Sequence, residues 1–145
     1  MKKKSQTRAR QSGSYLPYRE SKYYFLFCRI EGSWYLRWQK GFNHVSLVRK
    51  HGKHWIIFEP ILGFCFLNVC NVNEFDRFVT YDVLEVNIRV TNRNRLIRPI
   101  FQTCVTFVQY IAGISTGAIL CQTLYDRLIN CQLEGVKVKK WEPQL

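Results

Sequence analysis

Acidic residues are scarce in this sequence. Ten Asp and Glu stand against 22 Lys and Arg in 145 residues, a formal net charge of +12. Proline is thin as well, with four, and methionine occurs once. Hydrophobic residues nevertheless reach 47% and aromatic ones 15%. That balance excludes an acidic disordered chain and a collagen-like one, and the length favours one domain with a core large enough to carry a pocket. Long hydrophobic runs are also missing. The best membrane candidate, residues 104–120 (CVTFVQYIAGISTGAIL), sits at the bottom of the spanning range. Gln109 and several hydroxyls interrupt it, and a helix break at Gly113-Ile114-Ser115 explains it better. No membrane span is expected, and the polar start, without an apolar core segment, predicts no signal peptide.

Metal and nucleic-acid signatures are lacking too. No CxxC pair, helix-turn-helix, RNP or zinc-finger pattern occurs. The cysteines are Cys28, Cys65, Cys70, Cys104, Cys121 and Cys131. An even number does not by itself make a disulfide framework in so apolar a chain, so reduced, mostly buried thiols are expected. His51, His54, Cys65 and Cys70 could be imagined around zinc, but their cysteine spacing matches no usual zinc pair. The expectation is no metal and no organic cofactor.

The positive charge that is present is clustered. Lys2, Lys3, Lys4, Arg8 and Arg10 have no acid among them, and residues 1–18 read as a disordered basic arm. Arg93, Arg95 and Arg98, with Arg89, lie in an Asn- and Thr-containing stretch that reads as a solvated loop. Lys137, Lys139 and Lys140 follow near the end. Such clusters concentrate nucleic acid or another polyanion at a surface, and equally they can serve solubility alone.

From Lys22 the pattern turns to strands. Tyr23 to Cys28 is an aromatic and aliphatic run, and Glu31-Gly32-Ser33 reads as a turn before a strand from Trp34 to Trp38. Gly41 precedes a strand at Phe42–Val48, and His54–Glu59 returns after a His51-Gly52 turn, ending at Pro60. Gly63–Val69 is a shorter apolar segment and Asn71–Thr80 looks irregular. Asp82–Val90 alternates with period two, as a half-buried strand does. Thr103 is placed to cap a helix that ends at Gly113. Ser115 or Thr116 could cap a second one running to about Asn130. The expected organisation is a basic arm (1–18), an α+β domain (19–135) with an antiparallel sheet packed on a C-terminal helical pair, and a polar tail (136–145).

Chemistry is suggested by Cys104, at the start of the first helix. Unpaired N–H groups and the positive helix end favour thiolate there, and they can hold an oxyanion. His44 lies in a strand. If His51-Gly52 is a two-residue loop, Lys50 pairs with Lys53, Ser46 with Ile57 and His44 with Glu59. Glu59 would then hold one imidazole nitrogen and leave the other for a thiol, the logic of nucleophile, base and orienting group. A loop one residue longer sends Glu59 to the other face, as a solvated or Arg/Lys-paired edge carboxylate.

The order of FNHVSLV, HWIIFEP and TCVTFVQYIAGI resembles the circularly permuted branch of the NlpC/P60, papain-like superfamily, in its small phage-encoded form, over residues 40–130. That resemblance implies a permuted papain-like core with Cys104 as nucleophile and His44 as general base, and it maps a third, polar residue onto Glu59. It implies cleavage or acyl transfer at an amide or thioester, with an amide in peptidoglycan peptides or in polypeptide as the expected substrate. Location in the host cytoplasm or in the virion, among virion proteins, goes with it. The rival expectation is a non-enzymatic basic structural or binding protein, such as a virion component touching nucleic acid through the arm.

Overall fold

Six strands and two helices follow one another in the computed structural model, which describes residues 19–32, 38–61, 64–71, 81–90 and 103–142. They are β1 (Arg19–Cys28), β2 (His44–His51), β3 (His54–Ile61), β4 (Phe64–Asn71), β5 (Asp82–Val90), α1 (Cys104–Ala112), α2 (Cys121–Ile129) and β6 (Val136–Lys140). All six strands join one antiparallel sheet in the order β4-β3-β2-β1-β5-β6. The class is α+β, an antiparallel sheet with a C-terminal helical pair. The basic arm (Lys2, Lys3, Lys4, Arg8, Arg10), the Arg93, Arg95 and Arg98 cluster and most of the strand expected at 34–38 lie outside the described residues.

β1 is a continuous apolar run because it is buried on both faces. Tyr23, Phe25 and Phe27 join Val45, Leu47, Leu84 and Val86 in the cluster covered by the helices, which contribute Val105, Val108, Leu124 and Leu128. Tyr24 and Leu26 pack with Val48, Trp55, Ile57 and Val83 on the other face. Each fully buried side chain such as Phe25 or Phe27 contributes about 1.5–3 kcal/mol of apolar burial. β5 keeps the expected alternation: Leu84, Val86 and Ile88 face the helices. Between them Glu85 is buried against Lys22 (3.0 Å) and Lys139 (3.4 Å).

Four sequence expectations change. The β2–β3 loop is Gly52-Lys53, closed by His51 opposite His54, because Gly52 takes the left-handed conformation (φ 59°) that the turn needs. β3 runs on through Pro60 to Ile61. Its ladder with β2 extends only to Phe58, so beyond it β3 pairs with β4 alone, and the missing proline N–H interrupts no ladder to β2. Val136–Lys140, expected in a polar tail, forms the edge strand β6, with Val138 opposite Val86. The second helix starts at Cys121, not after Ser115 or Thr116.

The buried Gln109 explains that late start. Its amide donates to the carbonyls of Val105 and Ala118, and its oxygen accepts from the N–H and hydroxyl of Thr116. Thr116 is thereby tied to α1, and its hydroxyl also accepts the Ala118 N–H (3.2 Å) in a local turn that does not continue as a helix. Gly117, in the left-handed region at φ 70°, carries the chain onward in an open turn. α1 itself begins and ends as expected. Thr103 and Thr106 form a reciprocal capping box, and Gly113 closes the helix at φ 77°. No helix among the described residues is long and apolar enough to cross a membrane.

Candidate active site

The site lies where β2 begins and α1 starts. Asn43 fixes the entry into β2. Its side chain donates to the Ile30 carbonyl (3.0 Å) and accepts from the Ile30 N–H (2.7 Å), while its own N–H reaches the Cys28 carbonyl. The next residue, His44, is buried at 7% exposure and stands opposite Cys28 of β1. Gly41, two residues before Asn43, meets α2 at close range, and Gln122 accepts the Phe42 N–H (3.2 Å). The imidazole is therefore carried by a segment tied to both β1 and α2.

Nε2 of His44 donates to Oε1 of Glu59, and Ser46 Oγ donates to the other carboxylate oxygen at 2.8 Å. The expected register is off by two residues, since Val48 faces Ile57 and Leu47 faces Phe58. Continued by one step, that register puts Ser46 opposite Glu59 and His44 diagonal to it. Because strand faces repeat every two residues, the offset kept Glu59 on the face of His44. Ser46, expected opposite Ile57, is instead the cross-strand partner of Glu59.

Cys104 is the first residue of α1, behind its Thr103 cap, and its thiol lies close enough to the His44 imidazole for each to shift the other's ionisation. With Nε2 given to Glu59, Nδ1 is the nitrogen left for the sulfur. A second thiol joins this pair. Cys121, the first residue of α2, has its sulfur 3.6 Å from that of Cys104. It is buried at 1% exposure, whereas Cys104 is only partly buried. Cys121 escaped sequence reasoning because the expected helix start lay four or five residues earlier, which hid its position at a helix mouth.

The electrostatics follow from these contacts. The Cys121 S–H bond is the largest influence on Cys104. Burial opposes it, and the His44 bond and charge, with the Val45 N–H, bring the thiol down to about 5. Burial alone would lower the pKa of His44. Its hydrogen bonds and proximity to Cys104 and Glu59 outweigh that and push it up to about 9. Burial likewise works against the Glu59 carboxylate, but the bonds from His44 and Ser46 hold it below its ordinary range. Cys121 is pushed upward by its bond to Cys104 and by burial, so it stays a protonated donor. Between about pH 5 and about pH 9 the site thus holds a thiolate and an imidazolium backed by a carboxylate.

Nothing among known family models, curated proteins or solved structures matches this chain.

All six cysteines are free. Only Cys121 is fully buried and Cys65 is exposed, so the expectation of mostly buried thiols does not hold. Among the described residues no group of three or more His, Cys, Asp or Glu is arranged to hold a metal ion. Among the described residues, two backbone donors of the first turn have no intrahelical acceptor. The capping box takes the Thr106 N–H and the Thr103 carbonyl takes that of Phe107, while the N–H groups of Cys104 and Val105 precede any intrahelical acceptor. The arrangement can therefore hold a thiolate, deliver a proton from its partner imidazole and offer N–H groups to a developing oxyanion.

Proposed function

We propose that the chain is a thiol-dependent hydrolase or acyltransferase that acts on amide bonds, on a permuted papain-like scaffold. Its substrate would be peptidoglycan peptide or polypeptide. The observation that carries this reading is the Glu59–His44 hydrogen bond set beside Cys104, whose thiol stands at the first residue of a helix. A structural cysteine has no need of an imidazolium partner that is itself held by a carboxylate.

The Cys104 thiolate attacks the amide carbonyl carbon, and the oxygen takes the negative charge beside the N–H groups of Cys104 and Val105. His44 gives its proton to the amide nitrogen as the carbon–nitrogen bond breaks, leaving a thioester on Cys104. Neutral His44 then takes a proton from water or from an acceptor amine, which displaces the thiolate and restores the ion pair. Glu59 keeps the ring oriented and supports its positive form throughout, and Ser46 keeps the carboxylate in place.

The test is iodoacetamide labelling at pH 6, followed by peptide mass mapping. Cys104 should label far faster than the other five cysteines, and His44→Ala should slow it by about tenfold or more as the thiol pKa rises. Uniform, slow labelling of all six would overturn the proposal. Hydrolysis assays on peptidoglycan fragments and on unfolded polypeptide, with Cys104→Ser as the control, then separate the two substrates.

The net charge of +12 favours a second, compatible role, in which the basic residues hold the chain on a polyanion.

A further inference from the structure

A catalytic thiolate of this kind needs one imidazole, and His44 supplies it. The second sulfur at van der Waals distance is not required by amide chemistry. Cys121 is sealed from solvent, yet its sulfur lies 3.6 Å from the partly accessible Cys104. The two residues occupy equivalent places, each the first residue of its helix, so both sulfurs point into the same gap. A disulfide requires the sulfurs to close to about 2.05 Å, an approach of roughly 1.5 Å. No side-chain capping bond at the start of α2 stands in the way of that approach.

We propose that Cys121 is a resolving thiol: peroxide oxidises Cys104, and Cys121 then closes a Cys104–Cys121 disulfide that reversibly removes the nucleophile. This inference rests on the reading of Cys104 as a reactive thiolate. In the first step the Cys104 sulfur attacks one peroxide oxygen, the O–O bond breaks, and the departing hydroxide takes the His44 proton to become water. Cys104 is now a sulfenic acid. In the second step the Cys121 sulfur attacks the Cys104 sulfur, the S–O bond breaks, and the leaving hydroxide combines with the Cys121 proton as water. A thiol donor reduces the disulfide and returns both thiols.

Burial gives this division of labour its order. An oxidant reaches Cys104 first, and Cys121 is reachable only through it. A protonated, buried Cys121 is inert toward solution oxidants, and it becomes competent once an electrophilic sulfur stands beside it. Cys28 is the competing thiol, since it stands opposite His44 across the β1–β2 ladder.

The experiment treats the full chain with stoichiometric hydrogen peroxide, blocks remaining thiols, and measures intact mass and disulfide-linked peptides. Iodoacetamide labelling of the untreated protein is run in parallel. The expected result is loss of two hydrogen atoms, a linked pair of peptides containing Cys104 and Cys121, and full recovery of Cys104 labelling after dithiothreitol. In Cys121→Ser and Cys121→Val, two variants in case one packs poorly, peroxide should instead drive Cys104 to sulfinic acid, with labelling lost for good. Addition of two oxygens to Cys104 in the unaltered protein, or a Cys28–Cys104 linkage, would overturn the inference while fast labelling of Cys104 left the hydrolase reading standing. Slow labelling together with a Cys104–Cys121 disulfide would do the reverse.

Discussion

At Cys104 and His44, ionisation sets what the site can do at a given pH. The proposed amide cleavage needs the thiolate, which is lost as pH falls through about 5, and the imidazolium, which is lost as pH rises through about 9. Turnover should therefore be bell-shaped between those limits. Alkylation, which needs no acid, should keep only the lower limb, and comparing the two rates across pH checks the assignment. Glu59→Gln preserves a hydrogen-bond acceptor but removes the negative charge that raises His44. The upper limb should move down by about one unit, read as the turnover profile or as an imidazole titration by NMR. Much of this was legible in the sequence. Cys104 follows a recognisable cap, and His44 sits among strand-forming residues. Glu59 was reached through a loop placed one residue too early, which shifts the register by two, an error that parity forgave. Cys121 was not legible, because its position depends on where Gln109 directs its hydrogen bonds.

Among the elements, two contacts hold the site's parts in register. Gly41 has φ 76°, and a Cβ there would lie 2.1 Å from the side-chain oxygen of Gln122. Gly41→Ala should cost about 1–3 kcal/mol, seen as a lower Tm, and should slow Cys104 labelling as the His44 segment shifts. Gln109→Leu strips four hydrogen bonds from the α1–α2 connection and leaves buried backbone groups unpaired. Its cost should be about 2–4 kcal/mol by denaturant unfolding, and Cys104–Cys121 disulfide formation should become slower as α2 loses its anchorage. β5 was readable from its alternation alone. β6 was not, because Val136–Lys140 is short and lysine-rich and becomes a strand only when β5 supplies its partner. The second helix shows the same limit: Thr116 makes the cap-like bond to the Ala118 N–H, yet its ties to Gln109 hold that segment as a turn and α2 starts only at Cys121.

For the whole molecule, the sheet order makes the last strand as necessary as the first. β6 covers the β5 edge, Lys139 pairs with the buried Glu85, and the Trp141 N–H reaches the Val83 carbonyl. A chain ending at Gly135 should be less stable by about 2–4 kcal/mol, measured by urea unfolding, with Cys104 labelling degraded in step. The positive charge belongs to this scale as well. Deleting residues 1–18 should weaken binding to DNA and flatten its salt dependence while leaving Cys104 labelling unchanged, because the described contacts of the site join β2, β3, α1 and α2.

β1 lies between β2 and β5, and Phe25 is set opposite both Leu47 and Leu84. During synthesis its aromatic side chains emerge early, while one of the two flanks that bury them is still some sixty residues from leaving the ribosome. The nascent polypeptide therefore carries a half-covered apolar strand until β5 is made, and pairing this distant favours slow folding. Since Cys104 emerges later still, the reactive sulfur is delivered only onto a sheet whose centre is already complete.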